Sequence, residues 1–475
     1  MQLIWHRSEL RTHDHPALHA AALMAREAGT KLLPLVIIDP KIFERGDLTP
    51  RRQAWFLENT RALRESYRRL GCDLVVRRGE PAQVLGELAR GLRGTEHALT
   101  HAHFVCTYTP YAKQRDEAAS EVLRAHGVEV RSCGGQYTHE PGTVLTDEGR
   151  RYGVFGAFRK KWQTLELPPT YDAPKTLPAL PSSLEVGDIP RVEPGISLPP
   201  VGEIAARERL DWFTANAEAD YQKMRNEPGH EAATSKLSYY FNVGALSPRL
   251  AMRRAKTYKW KFELTWRDFF ADVLDRLPES AQAEAKADWR GFPWRHDADQ
   301  LALWTHGQTG YPYVDAGMRE LQQSGFMHNN ARMVCASFLT KHLLIDWRDG
   351  ERIFRGLLLC GDRAQNVSNW QWIAGCGVGG SPYFRIYNPV SQAARRDPKG
   401  TYIRRWIPEL AGVSDEWIGR PHLMESPPPG YARPMIGLDE GRDRFKLTAG
   451  AFLKDTRADE AAGDEAAGDG PTPEE

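Results

Sequence analysis

Four stretches of this chain combine residue types and spacings that could do chemistry. In KFELTWRDFFADVL, Glu263, Trp266, Arg267 and Phe270 stand at i, i+3, i+4 and i+7. A helix would set that carboxylate, indole and guanidinium on one stripe. The plain structural reading gives Trp266 and Phe270 to the core and makes Glu263 and Arg267 an i,i+4 ion pair. In GDRAQNVSNWQWIAG, Trp370 and Trp372 are two apart and project from different faces of a helix or turn, so one can be buried while the other faces a cleft. ATSKLS opens a helical stretch with Thr234 and Ser235, whose hydroxyls suit a helix cap and also suit phosphate beside free backbone N–H groups. In SPYFRIYNPVSQAARRDPKGTYIRRW, Arg385, Arg395, Arg396, Lys399, Arg404 and Arg405 stand against the single acid Asp397, interleaved with Tyr383, Phe384, Tyr387, Tyr402 and Trp406. Cations among aromatic planes suit a nucleic-acid backbone and its bases.

Other signals are weaker. His13, His15, His97, His101 and His103 lie beside strand ends without a matching carboxylate or thiolate set, and the six cysteines (Cys72, Cys106, Cys133, Cys335, Cys360, Cys376) form no C-x-x-C. Neither a metal site nor a disulfide framework is expected. GCGVGG, Gly375 to Gly380, follows a helix-like run and not a strand, so it reads as a turn.

The elements that must position these groups fall into two classes. Over residues 1–135, apolar runs (LIW, KLLPLVII, DLVV, HALTHAHFVC, VEVRS) alternate with amphipathic helical ones. This predicts an α/β domain with a doubly wound, mostly parallel five-stranded sheet. WHRSELRTHDHPAL stands where a dinucleotide fingerprint would follow the first strand, so that fingerprint is missing. Residues 136–203 form a connector, with nine prolines between Pro168 and Pro200 that forbid regular structure. From 204 to 453 helical periodicity takes over, as in ARMVCASFLTKHLLIDW, which predicts an all-α domain. Residues 454–475 read as an acidic disordered tail.

The net charge of +1 over 475 residues hides an asymmetry: eight acids against Arg457 from Asp455 onward leave the body, Met1 to Lys454, at +8. A basic body suits a polyanionic partner. The longest apolar run, near Leu32 to Ile38, is too short to span a bilayer, and MQLIWHRSEL does not read as a secretory signal, so a cytoplasmic protein is expected.

Taken together, LIWHRSELRTHDHPAL, TSKLS, ELTWRDF, TGYPYVDAGMREL, GFMHNNARMVCASFLTKHLLIDW, NVSNWQW, YFRIYNPVSQ and YIRRWIPEL resemble the photolyase and cryptochrome family in order and spacing. The resemblance implies a helical domain holding one non-covalent, U-shaped FAD, active as the reduced anion. It places Thr234, Ser235, Lys236, Leu237 and Ser238 at the FAD phosphates with Tyr221 nearby, and Arg332, Asp362 and Asn366 at the isoalloxazine. A neutral Asn366 amide and a cationic Arg332 both tolerate a negative ring. It further implies that Glu263, Asn329 and Met333 meet the damaged bases, that Trp266 and Trp372 stack on an extruded dimer, and that Arg267, Arg385 and Gln392 face DNA. Trp370, Trp347 and Trp294, spaced by 23 and then 53 residues, match the family's electron-carrying tryptophans.

The implied function is light-driven repair of cyclobutane pyrimidine dimers in UV-damaged DNA by a monomer. The alternative is a cryptochrome-type signalling flavoprotein without repair, disfavoured by a short acidic tail that lacks apolar anchors. A binding module without chemistry would leave the tryptophan chain idle. The chain departs from the family pattern at Cys360 (usually Asp), Asn330 (often Arg, a phosphate contact), Ser368 and Asn369 (a common Gly-Gly) and Phe326 (frequently Trp). YTPYAKQRD lacks the family's folate-binding Asn-Glu pair, so a second, antenna chromophore is expected to be of deazaflavin or flavin type.

Overall fold

The apolar runs near the N-terminus pair as five strands, β1 (Gln2–His6), β2 (Leu32–Ile38), β3 (Val75–Arg78), β4 (His101–Val105) and β5 (Glu129–Cys133). They are seen in a computed structural model that describes residues 1–44, 46, 48–379 and 383–468. The order is β3-β2-β1-β4-β5 and every pairing is parallel, as expected. Helices cover both faces of such a sheet, which is why β2 is an unbroken apolar run and all seven of its residues are buried. Pro34 has no N–H to give a central strand. β3 begins pairing only at Leu35, so beside Pro34 the ladder runs to β1 alone. The crossover helices Pro16–Glu27, Pro50–Arg69, Pro81–Leu92 and Pro110–Ala125 each start with proline, where its missing N–H costs nothing.

Between the helices Phe155–Trp162 and Gly202–Asn216 there is neither helix nor strand, as the prolines require. The backbone there is nevertheless anchored: Val76 donates to the Val186 carbonyl at 2.8 Å, Leu177 to Leu70 at 2.7 Å, and Asp14 to Tyr171 at 2.6 Å.

The chain divides into two compact units. The first comprises Met1–Pro278, Glu320–Met327 and Arg352–Asn366; the second comprises Glu279–Arg319, His328–Glu351 and Val367–Glu475. In the first, the WHRSELRTHDHPAL segment takes a structural role. Asp14 is fully buried in the left-handed region (φ 47°) and meets Arg249 Nη2 at 2.9 Å and Nε at 3.2 Å, with the Ser247 hydroxyl also donating to it. Arg11 donates to the carbonyls of Gly135 (2.8 Å) and Gly244 (3.0 Å). Gly244 ends the Ser238–Val243 helix at φ 66°, and a Cβ there would lie 2.1 Å from the Ser8 carbonyl oxygen, so only glycine fits.

The second unit is helical. ARMVCASFLTKHLLIDW reads as one helix, but the structure breaks it: helix Asn329–Ser337 passes into a π-helical turn, Phe338–His342, before the helix Trp347–Leu357 begins. Leu344, at φ 59°, completes the reversal. The tail also departs from expectation. The last helix, Leu438–Gly468, runs through most of the stretch expected to be disordered, because its Ala, Glu and Asp-rich sequence has enough helix-forming alanine and glutamate to propagate a helix already begun. The rest of that acidic tail, 469–475, lies outside the described residues.

Removing Arg249 strands a buried carboxylate. Arg249→Met is expected to cost about 3–5 kcal/mol in urea unfolding, and adding Asp14→Asn is expected to recover part of that loss because no buried charge is then left unpaired.

Candidate functional site

The first unit carries the carboxylate stripe on the helix Tyr258–Arg276. The expected Glu263–Arg267 pair does not form. Glu263 accepts from Arg225 Nη1 at 2.5 Å and lies 2.7 Å from Lys259 Nζ. Lys259 is four residues before Glu263 and so shares its helix face, while Arg225 comes from the short helix Tyr221–Met224 and the residue that follows it. The Arg225 guanidinium also lies 5.8 Å from the Tyr221 ring centroid, and burial, with the Glu263 charge adding to it, holds the Tyr221 phenol above its usual pKa.

Arg267 is a correction to the sequence reading. Expected to face DNA, it is turned inward, its side chain 14% exposed, with Nη1 at 3.0 Å from Asp362 Oδ2. Its guanidinium lies over the Tyr137 and Phe241 rings at 5.3 and 5.6 Å. Burial opposes its charge, but Asp362 and the neighbouring acidic groups outweigh this and raise its pKa. A buried guanidinium needs such a partner, and Asp362 is placed by its own role: Oδ1 accepts the Gln365 N–H at 3.1 Å, at the start of the helix Arg363–Ala374. Asn366 is half-buried one turn later. Trp266 is half-buried, and Phe155 stacks on it at 3.4 Å and 10°, so this chain already covers one face of the indole.

The segment Thr234 to Ser238 does not cap a helix with its hydroxyls. The next helix starts at Ser238 with Leu237 at its N-cap and no capping side chain, and Thr234 and Ser235 stay outside it with their carbonyls accepting from Arg209. Lys236 holds φ 53°, and its ammonium lies 5.8 Å from the Phe326 ring centroid. Among the described residues, the half-buried hydroxyls of Thr234, Ser235 and Ser238 have no protein partner. Three spare hydroxyls beside one ammonium form a donor set that fits the phosphates of a dinucleotide such as FAD.

In the second unit His328 caps the helix Asn329–Ser337 by accepting the Asn330 N–H at 3.2 Å. Asn329 is exposed and its amide lies 3.8 Å from Met333 Sδ; Arg332 and Met333 are half-buried on the same helix. Asn330 is not a surface position. It is 5% exposed and accepts from the Tyr313 hydroxyl at 2.6 Å, so the chain builds a core hydrogen bond there.

Trp370 is buried and Trp372 half-buried, as their spacing predicts. Arg385, which is exposed, stands 5.6 Å from the Trp372 ring centroid. Gln392 has its amide oxygen enclosed without a partner. Within the basic stretch not every cation is available: Arg404 is spent on the Val413 carbonyl (2.6 Å) and Asp415 (2.7 Å), and Asp397 caps the helix Thr401–Trp406 through the N–H groups of Tyr402 and Ile403.

Two residues the motifs did not single out organise the indoles. Gln371, between Trp370 and Trp372 in sequence and buried, donates to the carbonyls of Ser280 and Ala283, both at 2.8 Å, and accepts from the Ala285 N–H at 2.9 Å. It thereby clamps the loop that carries Glu284. A single oxygen of Glu284 then accepts the indole N–H of Trp347 at 3.2 Å and of Trp294 at 3.3 Å, while its other oxygen accepts from Arg348 at 2.6 Å. Trp347 is buried and Trp294 half-exposed. The spacing of the tryptophans was readable; nothing in SAQAEAKADW marks Glu284, and Gln371 was hidden inside a motif remarked for its aromatics.

The buried cluster His6, Glu9 and His15 brings three ligand-type atoms within 4.8 Å. The protein already engages most of them: His6 bonds the Glu9 carbonyl (3.1 Å) and the Tyr67 hydroxyl (2.6 Å), His15 Nδ1 accepts the Leu18 N–H, and Glu9 accepts from the backbone of Arg7 and Ser8. Two arginines, Arg7 and Arg11, add repulsion for a cation.

Comparison with known proteins shows which chains this one resembles. Residues 2–181 match the family model described as DNA photolyase, and residues 260–449 match the FAD binding domain of DNA photolyase. A deoxyribodipyrimidine photo-lyase of Thermus thermophilus is 40% identical over 454 residues, covering 93% of this chain and 97% of that protein. Among solved structures, a Synechocystis cryptochrome matches with TM-score 0.86 at 29% identity over 94% of this chain and 99% of that one. A Sulfolobus tokodaii photolyase with two FAD molecules matches with TM-score 0.82 at 25% identity, over 95% of this chain and all of that one.

One glycine sets the packing of the inner indole. A Cβ on Gly350 would lie 2.2 Å from the Trp370 ring. Gly350→Ala adds about 1 kcal/mol of helix propensity but overpacks the core at a cost of roughly 1–3 kcal/mol, so net destabilisation and a shifted Trp370 are expected. Thermal unfolding and tryptophan fluorescence will show both.

Proposed function

This chain belongs to the DNA photolyase family, and from that premise we propose that it repairs cyclobutane pyrimidine dimers in UV-damaged DNA under light, with one FAD as its cofactor. The observation that carries the proposal is similarity to a deoxyribodipyrimidine photo-lyase over nearly the whole of both chains. Bound as the reduced anion, FAD would supply the light-excited one-electron chemistry that dimer opening needs.

The chain's own residues take the remaining roles. Thr234, Ser235, Lys236, Leu237 and Ser238, with Tyr221, would hold the phosphates: hydroxyls donate and the ammonium offsets their charge. Arg332, Asp362 and Asn366 would line the ring system, with Asp362 held in place by its 3.0 Å contact to Arg267. On the DNA side, Glu263, Asn329 and Met333 would meet the extruded bases. Trp266 and Trp372 would supply stacking surface worth about 1–3 kcal/mol per base, against an extrusion cost of a few kcal/mol that is lower at a damaged step. Held by Arg225 and Lys259, Glu263 already has its geometry before substrate arrives. Arg385 would meet phosphate, and Gln392 would join it only if its enclosed amide turned outward. Trp370, Trp347 and Trp294 would relay electrons inward to restore the reduced cofactor. A second chromophore of flavin or deazaflavin type is proposed for the α/β domain, supported by the two flavins of the Sulfolobus photolyase.

The reduced, illuminated protein is expected to remove dimers from irradiated DNA, with no loss in the dark. If dimers persist while the flavin is still photoreduced, the chain is a photoreceptor and the repair proposal fails; repair of six-four products alone reassigns the lesion. Trp370→Phe is expected to abolish light-driven reduction of the oxidised cofactor yet spare repair by chemically reduced protein. Arg385→Ala is expected to weaken DNA binding and to flatten the log–log salt dependence by about 0.9.

A further inference from the structure

Resting on the electron-relay role given above to Trp370, Trp347 and Trp294, we propose that Glu284 is the proton acceptor at the outer end of that relay and takes the indole proton of oxidised Trp294. The geometry is specific. One carboxylate oxygen accepts both indole N–H groups, at 3.2 Å from Trp347 and 3.3 Å from Trp294, and the other is fixed by Arg348 at 2.6 Å. The side chain is only 4% exposed, and the loop that bears it is clamped by Gln371. A buried carboxylate used only to pair Arg348 has no need of two indole donors on its remaining oxygen. Burial favours the neutral acid, but the hydrogen bonds and charge of Arg348, with the Trp347 N–H, more than offset this and hold Glu284 below the usual glutamate pKa. It is therefore ionised and ready to accept.

An indole that has lost an electron becomes a strong N–H acid, and a carboxylate already hydrogen-bonded to that N–H is placed to take the proton without any group moving. The step balances as follows. Trp294 gives one electron to oxidised Trp347 and becomes a radical cation; its N–H bond breaks, an O–H bond forms on Glu284, and a neutral indolyl radical stands beside a neutral carboxylic acid. A water-borne thiolate then gives one electron to the indolyl radical, the proton returns from Glu284 to the indole nitrogen, and the thiolate leaves as a thiyl radical. Trp294 is the ring such a reductant can reach, since Trp347 is only 1% exposed. Until the proton returns, the electron cannot simply run backward, so Glu284 lengthens the charge separation and makes each photon count. Glu284 is thus a proton-accepting residue of the reduction cycle and has no part in contacting DNA.

The test uses the flavin-loaded protein with a thiol reductant and two time-resolved readouts: visible absorption, which distinguishes the indole radical cation from the neutral radical, and infrared difference absorption of protonated carboxyl groups. In the unmodified protein a carboxylic acid band is expected to rise as the radical cation decays. In Glu284→Gln that band is expected to be missing and the radical cation to live about tenfold longer, with flavin content retained. Decay of the radical cation without a carboxyl band in the unmodified protein overturns the proposal, and needs no variant to fold. An unchanged lifetime in Glu284→Gln overturns it too. Failure of the underlying relay looks different: no indole radical forms at all, and Trp370→Phe photoreduces like the unmodified protein.

Discussion

A charge taken out of water must find a partner, and in this protein that requirement decides what each ionisable side chain near the site is free to do. Arg267 and Asp362 answer each other; Glu263 is answered by Arg225 and Lys259; Glu284 is answered by Arg348 and two indole N–H groups. Each pairing removes a group from one role and fixes it for another. Arg267 is lost to DNA but fixes Asp362 beside the helix that carries Asn366. Glu263 is held in a defined orientation by Arg225 and Lys259, so a hydrogen-bond acceptor waits on the face where bases are proposed to enter.

The same constraint shapes several of the tryptophans, though the Trp5 and Trp406 donors are enclosed without a partner among the described residues. A tryptophan contributes a large apolar face and a single donor, and burying the ring without satisfying that donor is costly. The Trp347 and Trp294 donors converge on one oxygen, and the Trp304 donor is met by the Cys335 carbonyl at 3.1 Å. Gly350 gives up its side chain so that the Trp370 ring can close against the neighbouring helix backbone. What reads as a row of electron carriers is at the same time a hydrogen-bonded core. Gln371 and Glu284 hold that core together, and the role proposed for Glu284 is built on the same hydrogen bonds.

The α/β part contributes differently. Its unusual first loop, WHRSELRTHDHPAL, is not a phosphate cradle. Through Asp14, Arg11 and the glycine at 244 it ties the carboxyl edge of the sheet to the helical segment that follows the proline-rich connector. The connector is anchored in a related way: prolines keep it out of regular structure while the Leu177 N–H and the Tyr171 and Val186 carbonyls bond to the α/β part. Two of the positions where this chain departs from its family's pattern also gain a physical reading, since Asn330 is a buried acceptor for Tyr313 and the Lys236 ammonium lies 5.8 Å from the Phe326 ring centroid.

From residues alone, the α/β and all-α division, the five parallel strands, the absence of a dinucleotide fingerprint and the contrast between Trp370 and Trp372 were all legible. They depend on hydrophobic periodicity and short-range spacing, which are local properties of the chain. The partners of the charges were not. A helix places Glu263 within reach of both Lys259 and Arg267, and local geometry cannot choose between them; the choice fell to Arg225 and Asp362, which lie 38 residues before Glu263 and 95 after Arg267 in sequence. Helix propensity likewise could not show that the stretch ending in Lys341 and His342 widens into a π turn, nor that the acidic tail would continue a helix begun at Leu438. Long-range packing selects among locally equivalent pairings, and desolvation makes that selection binding, which is why Glu284 became visible only once the chain was folded.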